Sequence, residues 1–360
     1  MPRSFLTELQ TSFEEALARE LPEEISNGVT EEAIRQVIET SCGKIVESIL
    51  NDLKQQAPAM LRSERRKQAG FENRTFERWQ PAFDLYELIL GIVAQVGAEH
   101  DATLRPAAAA ADNWTFESIS HLHARGLLVA REIYALLRGG FPDGALARWR
   151  TLHELTVTAM FLHRQDSQIA FRYLASSRFQ ALRAARQFND FATRARMQPF
   201  SEDELQRMEA ECNDLAEQLG GRLKRDYDWA APALNRALVT FDQIEREVGM
   251  DHWRPRYRWA CQHNHGGHRP LENLLGLSEA VDQFLLVGAS NSGFVDPLHM
   301  SAISLTQLFS IFLLHAEKLD RIVMIDLVQS LVDELGETAL SVEQETLKAA
   351  RARKGSETDE

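Results

Sequence analysis

Leu136-Leu-Arg-Gly-Gly-Phe-Pro-Asp-Gly-Ala145 separates two long apolar-periodic segments. Before it, Phe116 to Leu137 carries apolar residues at helical spacing; after it, Gly144 to Leu162 does the same. Gly139-Gly140 is a helix stop, and Pro142 suits the opening turn of the next helix. A connection this short forces the two helices to run antiparallel. Asp143 is expected to cap the second helix.

Working outward, helical patterns dominate. Thr30-Glu-Glu-Ala33 opens a periodic segment through Ile34, Ile45 and Leu53, with acidic residues at its positive end. Residues 59–70, with Arg62, Arg65, Arg66 and Lys67, read as an exposed helix or linker, and an apolar helix spans about 76–97. Beyond the central hairpin, helices are expected at about 168–193, from Ser201-Glu-Asp-Glu204 onward, and at 236–248, 255–264, 274–287, 297–318 and 321–333. Residues 220–235 look irregular. No β-branched run alternates with period two, and no Asn-Gly or Asp-Gly turn joins two such runs. The fold class is therefore all-α: a helical bundle at 76–335, an N-terminal helical extension at 1–70, and a polar, disordered tail at 348–360.

Composition narrows the function classes. The chain has 360 residues, 44% of them hydrophobic, enough for a large core. The first ten residues contain no signal-peptide-length apolar run. The greasiest stretch, Met300 to Leu314, is broken by Ser301, Ser304, Thr306, Gln307 and Ser310 and reads as a buried helix rather than a bilayer span. Cys42, Cys212 and Cys261 are scattered and match no CxxC pattern, so neither a disulfide framework nor a cysteine zinc site is expected. These features point to a cytoplasmic protein. A net charge of −13 excludes a globally nucleic-acid-attracting surface but leaves room for a local basic site. GxxxxGK[ST], GxGxxG after a strand, GxSxG and HExxH are all missing, so ATPase, dehydrogenase, hydrolase-elbow and zincin chemistry is unsupported.

Three constellations could carry chemistry. The first is His252-Trp-Arg-Pro-Arg-Tyr-Arg-Trp-Ala-Cys-Gln-His-Asn-His-Gly-Gly-His268, a Pro-started, Gly-stopped helix. Its end would place His263 at the negative pole of the helix dipole, favouring imidazolium. Arg258, or Arg256, could offset charge on a scissile phosphate while His263 moves a proton. A bland alternative is a capped helix end with satisfied histidines, and the same spacing recurs from Arg148 to His153. His263, His265 and His268 could also hold a metal, although no acidic residue stands beside them and Gly266-Gly267 loosens the turn. We assign no metal and no cofactor on this basis. The second constellation is Arg150 and Glu154, four apart and able to pair, with Glu154 expected to be buried among Leu152, Leu155, Val157 and Met160. The third is Gly288 to His299, where Asn291 and neighbouring Gly and Ser residues offer exposed backbone donors, and Asp296-Pro297 starts a helix.

Ala145 to Glu154 resembles the A-x-x-R-x-x-x-E helix of the bacterial family called domain of unknown function 5677. Tyr257 to His263 resembles its Y-x-x-x-S-x-x-H segment, and Gly288 to Leu305 its G-x-S-N-x-G-x-x-D-P stretch. The resemblance extends over about 76–320. More distantly, a Gly-turn hairpin followed by an Arg…His helix is similar to the HEPN superfamily, which includes metal-independent ribonucleases with an R-x4-6-H motif. That resemblance implies an RNA-cleaving or RNA-binding effector of bacterial stress or anti-phage defence. It also implies a homodimer with Arg258 and His263 catalytic; Arg256, His265, His268, Arg150, Glu154, Asn291 and His299, from the constellations above, are the supporting candidates. Trp259 departs from it, because those nucleases commonly carry a polar residue directly after the Arg. The alternatives are a non-catalytic scaffold or sensor and a metal-dependent hydrolase.

Overall fold

The computed structural model describes residues 10–11, 31–267, 270–280, 285–316 and 318–357. Among them there are ten α-helices and no strand, as the periodicity predicts. The chain divides into two compact units, Met1–Arg74 and Thr75–Glu360.

Helix α1 (Glu31–Ala110) begins in the first unit and continues into the second. In the first unit, Arg62, Arg65, Arg66 and Lys67 all lie on the helix surface, and Lys67 bonds Glu64 at 2.6 Å. Of the two readings of 59–70, an exposed helix or a linker, the structure has the exposed helix. A charged run costs a helix little when its side chains stay in water, and even Pro58 and Pro81 are carried inside α1. The expected helix start at Thr30 lies outside the described residues. By length and composition, the helical stretch Ile49–Ala110 is apolar enough to cross a membrane. In the second unit its apolar residues Trp79, Phe83, Tyr86, Ile89 and Val93 are fully buried in the protein's own core.

Helices α2 (Trp114–Arg138) and α3 (Pro142–His163) form the predicted antiparallel hairpin. Asn113 caps α2 by accepting from the Phe116 amide. Gly140, at φ +82, makes the left-handed step between the helices, and Pro142 occupies the first turn of α3. Helix α4 (Ser167–Ala195) packs on the hairpin, mainly against α2, and α5 (Glu202–Leu219) packs on α4. Ser201 and Glu204 close the capping box expected at the start of α5. Short α6 (Ala231–Leu234), α7 (Phe241–Glu247) and α8 (Arg254–Gln262) follow. Then α9 (Val295–Leu313) runs through the centre, and α10 (Leu319–Glu357) packs against it.

Burial of α9 explains why its sequence is greasy yet dotted with hydroxyls. Ser304 accepts from Trp149 Nε1 at 3.0 Å, and its carbonyl accepts from Thr156 at 2.9 Å. Ser301 meets Tyr86 at 2.8 Å. Small hydroxyls let helices approach closely while satisfying buried donors.

One expectation is corrected: among the described residues of 274–287 there is no α-helix, and 3₁₀ turns occupy Leu271–Asn273 and Leu275–Leu277, while 281–284 lie outside the described residues. At the other end, α10 continues to Glu357, and residues 358–360 of the stretch read as a polar tail lie outside the described residues.

Candidate functional site

Helix α8 starts as the sequence predicts, with Pro255 in its first turn, and ends with His263 as its C-cap. Its residues separate rather than converge. Arg258 is exposed, whereas the His263 side chain is only 2% exposed. Five residues along a helix amount to about 140° of rotation beyond a full turn, so the two side chains leave the helix on different faces. His263 is buried where Arg258 is exposed, so the two side chains do not face a common space among the described residues. Arg256 turns to Asp296, Nη1 to Oδ2 at 2.8 Å, and stacks 5.8 Å from the Trp259 ring. His265 is exposed, and His268 lies outside the described residues. Among the described residues, no group of three His, Cys, Asp or Glu side chains could hold a metal ion.

His263 instead joins a structural junction. Its Nδ1 lies 3.2 Å from Asp143 Oδ1. Asp143 also accepts from the amides of Leu275 at 3.0 Å and Gly276 at 3.1 Å. Asp143 therefore sits in the first turn of α3 but bonds outward, and the α3 N-cap position belongs to Phe141. Next to it, the Gly140 carbonyl accepts from the Ser290 amide at 2.8 Å. Ser290 and Ser292 hydroxyls both bond the Gly276 carbonyl. The Gly-Gly turn, the end of α8 and two loop segments thus meet at one place.

Asn291 belongs to the outer edge of this junction. Its carbonyl accepts from Arg78 and from Trp79 Nε1, each at 2.8 Å, and Arg78 also pairs with Glu279 at 2.7 Å. The backbone of this loop is therefore engaged by protein donors and acceptors. His299, on α9, packs against Gly336 of α10, and burial lowers its pKa.

Arg150, Glu154 and Tyr257 do converge. Arg150 Nη2 pairs with Glu154 Oε1 at 2.8 Å, as its spacing predicts. The Tyr257 hydroxyl donates to the same oxygen. Arg150 also donates to Cys261 Sγ at 3.1 Å and lies 5.1 Å from the Tyr257 ring. Burial, followed by the Glu154 hydrogen bond, holds the Tyr257 phenol well above its ordinary pKa. Glu154 is less buried than expected, with its side chain 25% exposed. It lines an open cleft of about 540 Å³ between α2, α3, α4 and the 226–229 turn.

Sequence reasoning did not find the deepest charged group. His153 Nε2 lies 2.8 Å from Glu245 Oε1, both side chains almost wholly buried, and Arg254 closes the network onto Glu245 and Asp242. Arg254 is also 5.0 Å from the Tyr257 ring. A signal was present: Glu245 sits in the apolar spacing Phe241, Ile244, Val248, where a carboxylate needs a partner. The Arg148 to His153 match is accounted for by this network, because Arg148 turns away to Glu132.

Residues 116–284 match the model of a family of unknown function (DUF5677). The match covers a little under half of the chain, and that stretch is similar to the family. The matched region contains both the Arg150–Glu154–Tyr257 cluster and the His263–Asp143 contact. The Gly288 to Leu305 stretch, quoted as part of the resemblance, lies beyond the matched residues. No curated protein and no solved structure matches the chain.

Proposed function

We propose that the chain acts as a non-catalytic helical binding module, a scaffold or sensor, rather than through an Arg–His phosphodiester site. The observation that carries this reading is the separation of Arg258 from His263. A general acid or base must reach the proton that it transfers, and the phosphate-neutralising cation must face the same reacting group. Here the histidine is buried against Asp143 while the arginine points to solvent. Incubating the purified chain with RNA in EDTA tests the proposal. The expected result is no cleavage above background. EDTA-resistant cleavage giving 2′,3′-cyclic phosphate ends, lost in His263→Ala and Arg258→Lys, would instead establish the RNA-cleaving effector.

A further inference from the structure

Four histidines from separate elements gather at the end of α9. His100 of α1 meets the Phe312 ring edge-on at 4.8 Å, and His123 of α2 stacks on it at 4.5 Å. His315 lies in the turn between α9 and α10. It packs edge-on against Phe116 at 5.7 Å and against His163, the last residue of α3, at 5.4 Å. The Nε2 atoms of His100, His123 and His315 are buried and make no hydrogen bond among the described residues. A neutral imidazole can leave a lone pair there, whereas imidazolium would bring a buried, charged N–H without an acceptor, at far greater cost.

Burial, the first cause for all four, lowers His100 and His163 and takes His123 and His315 down to about 4. Neighbouring cations add to it: Arg321 and Lys318 at His100, and Arg164 at His163. Arg321, near the start of α10, is itself buried, and its ion-pair partners Glu99 and Asp320 stand 3.5 Å and 3.8 Å away on the surface. Asp101 favours charge on His100 and His123, but Arg105 holds both of its oxygens at 2.7 Å.

The start of α10 is the weakest wall of this cluster. Among the described residues of 314–327 only Arg321 is buried, and Leu319, Ile322, Val323 and Leu327 are each at least 45% exposed. Further along, Val328, Val332 and Leu335 are fully buried. Residues 314–327 can therefore lift away at small cost while the rest of α10 stays on the bundle.

We infer that residues 314–327 form an acid-released latch, closed onto the bundle while His100 and His315 are uncharged and freed when these rings take up protons. Once open, the rings return to the ordinary histidine value of about 6.5. The open form thus binds more protons, and opening becomes easier as pH falls below that value. Repulsion between a charged His100 and Arg321 acts in the same direction. The latch is independent of the binding-module reading, since it uses neither the Glu154 cleft nor the Asp143 junction.

Hydrogen exchange of the full chain at about pH 7.5 and 5.5, corrected for the intrinsic rate at each pH, tests it. Amides in 314–327 should exchange about tenfold faster at the lower pH, the change expected from His315 alone regaining its ordinary value. Their exchange should be insensitive to low urea, because a local opening exposes little surface, while the core of α2 exchanges far more slowly and responds to urea. In His315→Gln, which cannot titrate, the pH response of 314–327 should shrink. Exchange of 314–327 together with α2, with the same urea dependence, would mean unfolding of the whole unit and overturns the latch. So does exchange that is equal at both pH values, or a response undiminished in His315→Gln. The wild-type arms need no variant, so the inference stays refutable even where His315→Gln fails to fold.

Discussion

Individual side chains show why equal spacing can have unequal meaning. Arg150–Glu154 and Arg258–His263 are both short-range pairs on helices, yet only the first is a contact. A spacing of four puts two residues on one face, whereas a spacing of five turns the second far round the helix. The pairing of Glu154 was therefore legible in the sequence. Its burial was not, because the surrounding Leu152, Leu155 and Val157 face the core while Glu154 borders the cleft. This exposure tempers the stability effect. Glu154→Ala should cost about 1–2 kcal/mol, less than for a fully buried charge pair, because solvent reaches the stranded Arg150. Chemical denaturation checks this, and an unchanged midpoint would remove Glu154 from the account of the fold.

At the level of elements, legibility followed local signals. The antiparallel hairpin came from Gly139-Gly140 and Pro142, and the start of α5 from Ser201 and Glu204. The expected helix at 274–287 misled because the apolar spacing suits a helix while backbone donors at its start go elsewhere. Leu275 and Gly276 give their amides to Asp143, more than a hundred residues away in sequence, and no local pattern announces such a partner. Gly293 shows how tightly this loop is held. It has φ +74, and an added Cβ would lie 2.2 Å from the Leu275 carbonyl oxygen. Gly293→Ala should therefore cost about 3 kcal/mol or more, combining left-handed strain with a backbone clash. Gly288→Ala, where φ is also positive but the space is open, should cost less. Equal losses in the two variants would show that the clash is relieved freely and that the loop is not pinned.

The second unit as a whole carries a group of histidines around Phe312, and they set its response to acid. His123 stacks on Phe312 at 4.5 Å and His100 meets it edge-on at 4.8 Å, while His315 is 5.4 Å from His163. Burial, first among the causes, pushes His123 and His315 down to about 4 and lowers His100 and His163. These groups are neutral in the fold and take up protons more readily when unfolded. The unfolded chain therefore binds more protons below about pH 6.5, and stability falls as pH drops from there towards 4. A loss on the order of 2 kcal/mol by pH 5 is expected, with a flatter profile in His123→Gln/His315→Gln. A wild-type profile that is level from pH 7 to 5 would contradict the burial of these rings.

The same unit closes through the Asp143 junction, and the proposal of a binding module depends on His263 serving that junction rather than a reaction. The unfolding free energy of His263→Ala, set beside that of the exposed neighbour His265→Ala, tests this most directly. The account predicts a loss of about 2 kcal/mol for His263→Ala, from an emptied buried site and a carboxylate deprived of a partner, and almost none for His265→Ala. If His263→Ala were as stable as the wild type, His263 would not be holding the junction, and the account would be contradicted.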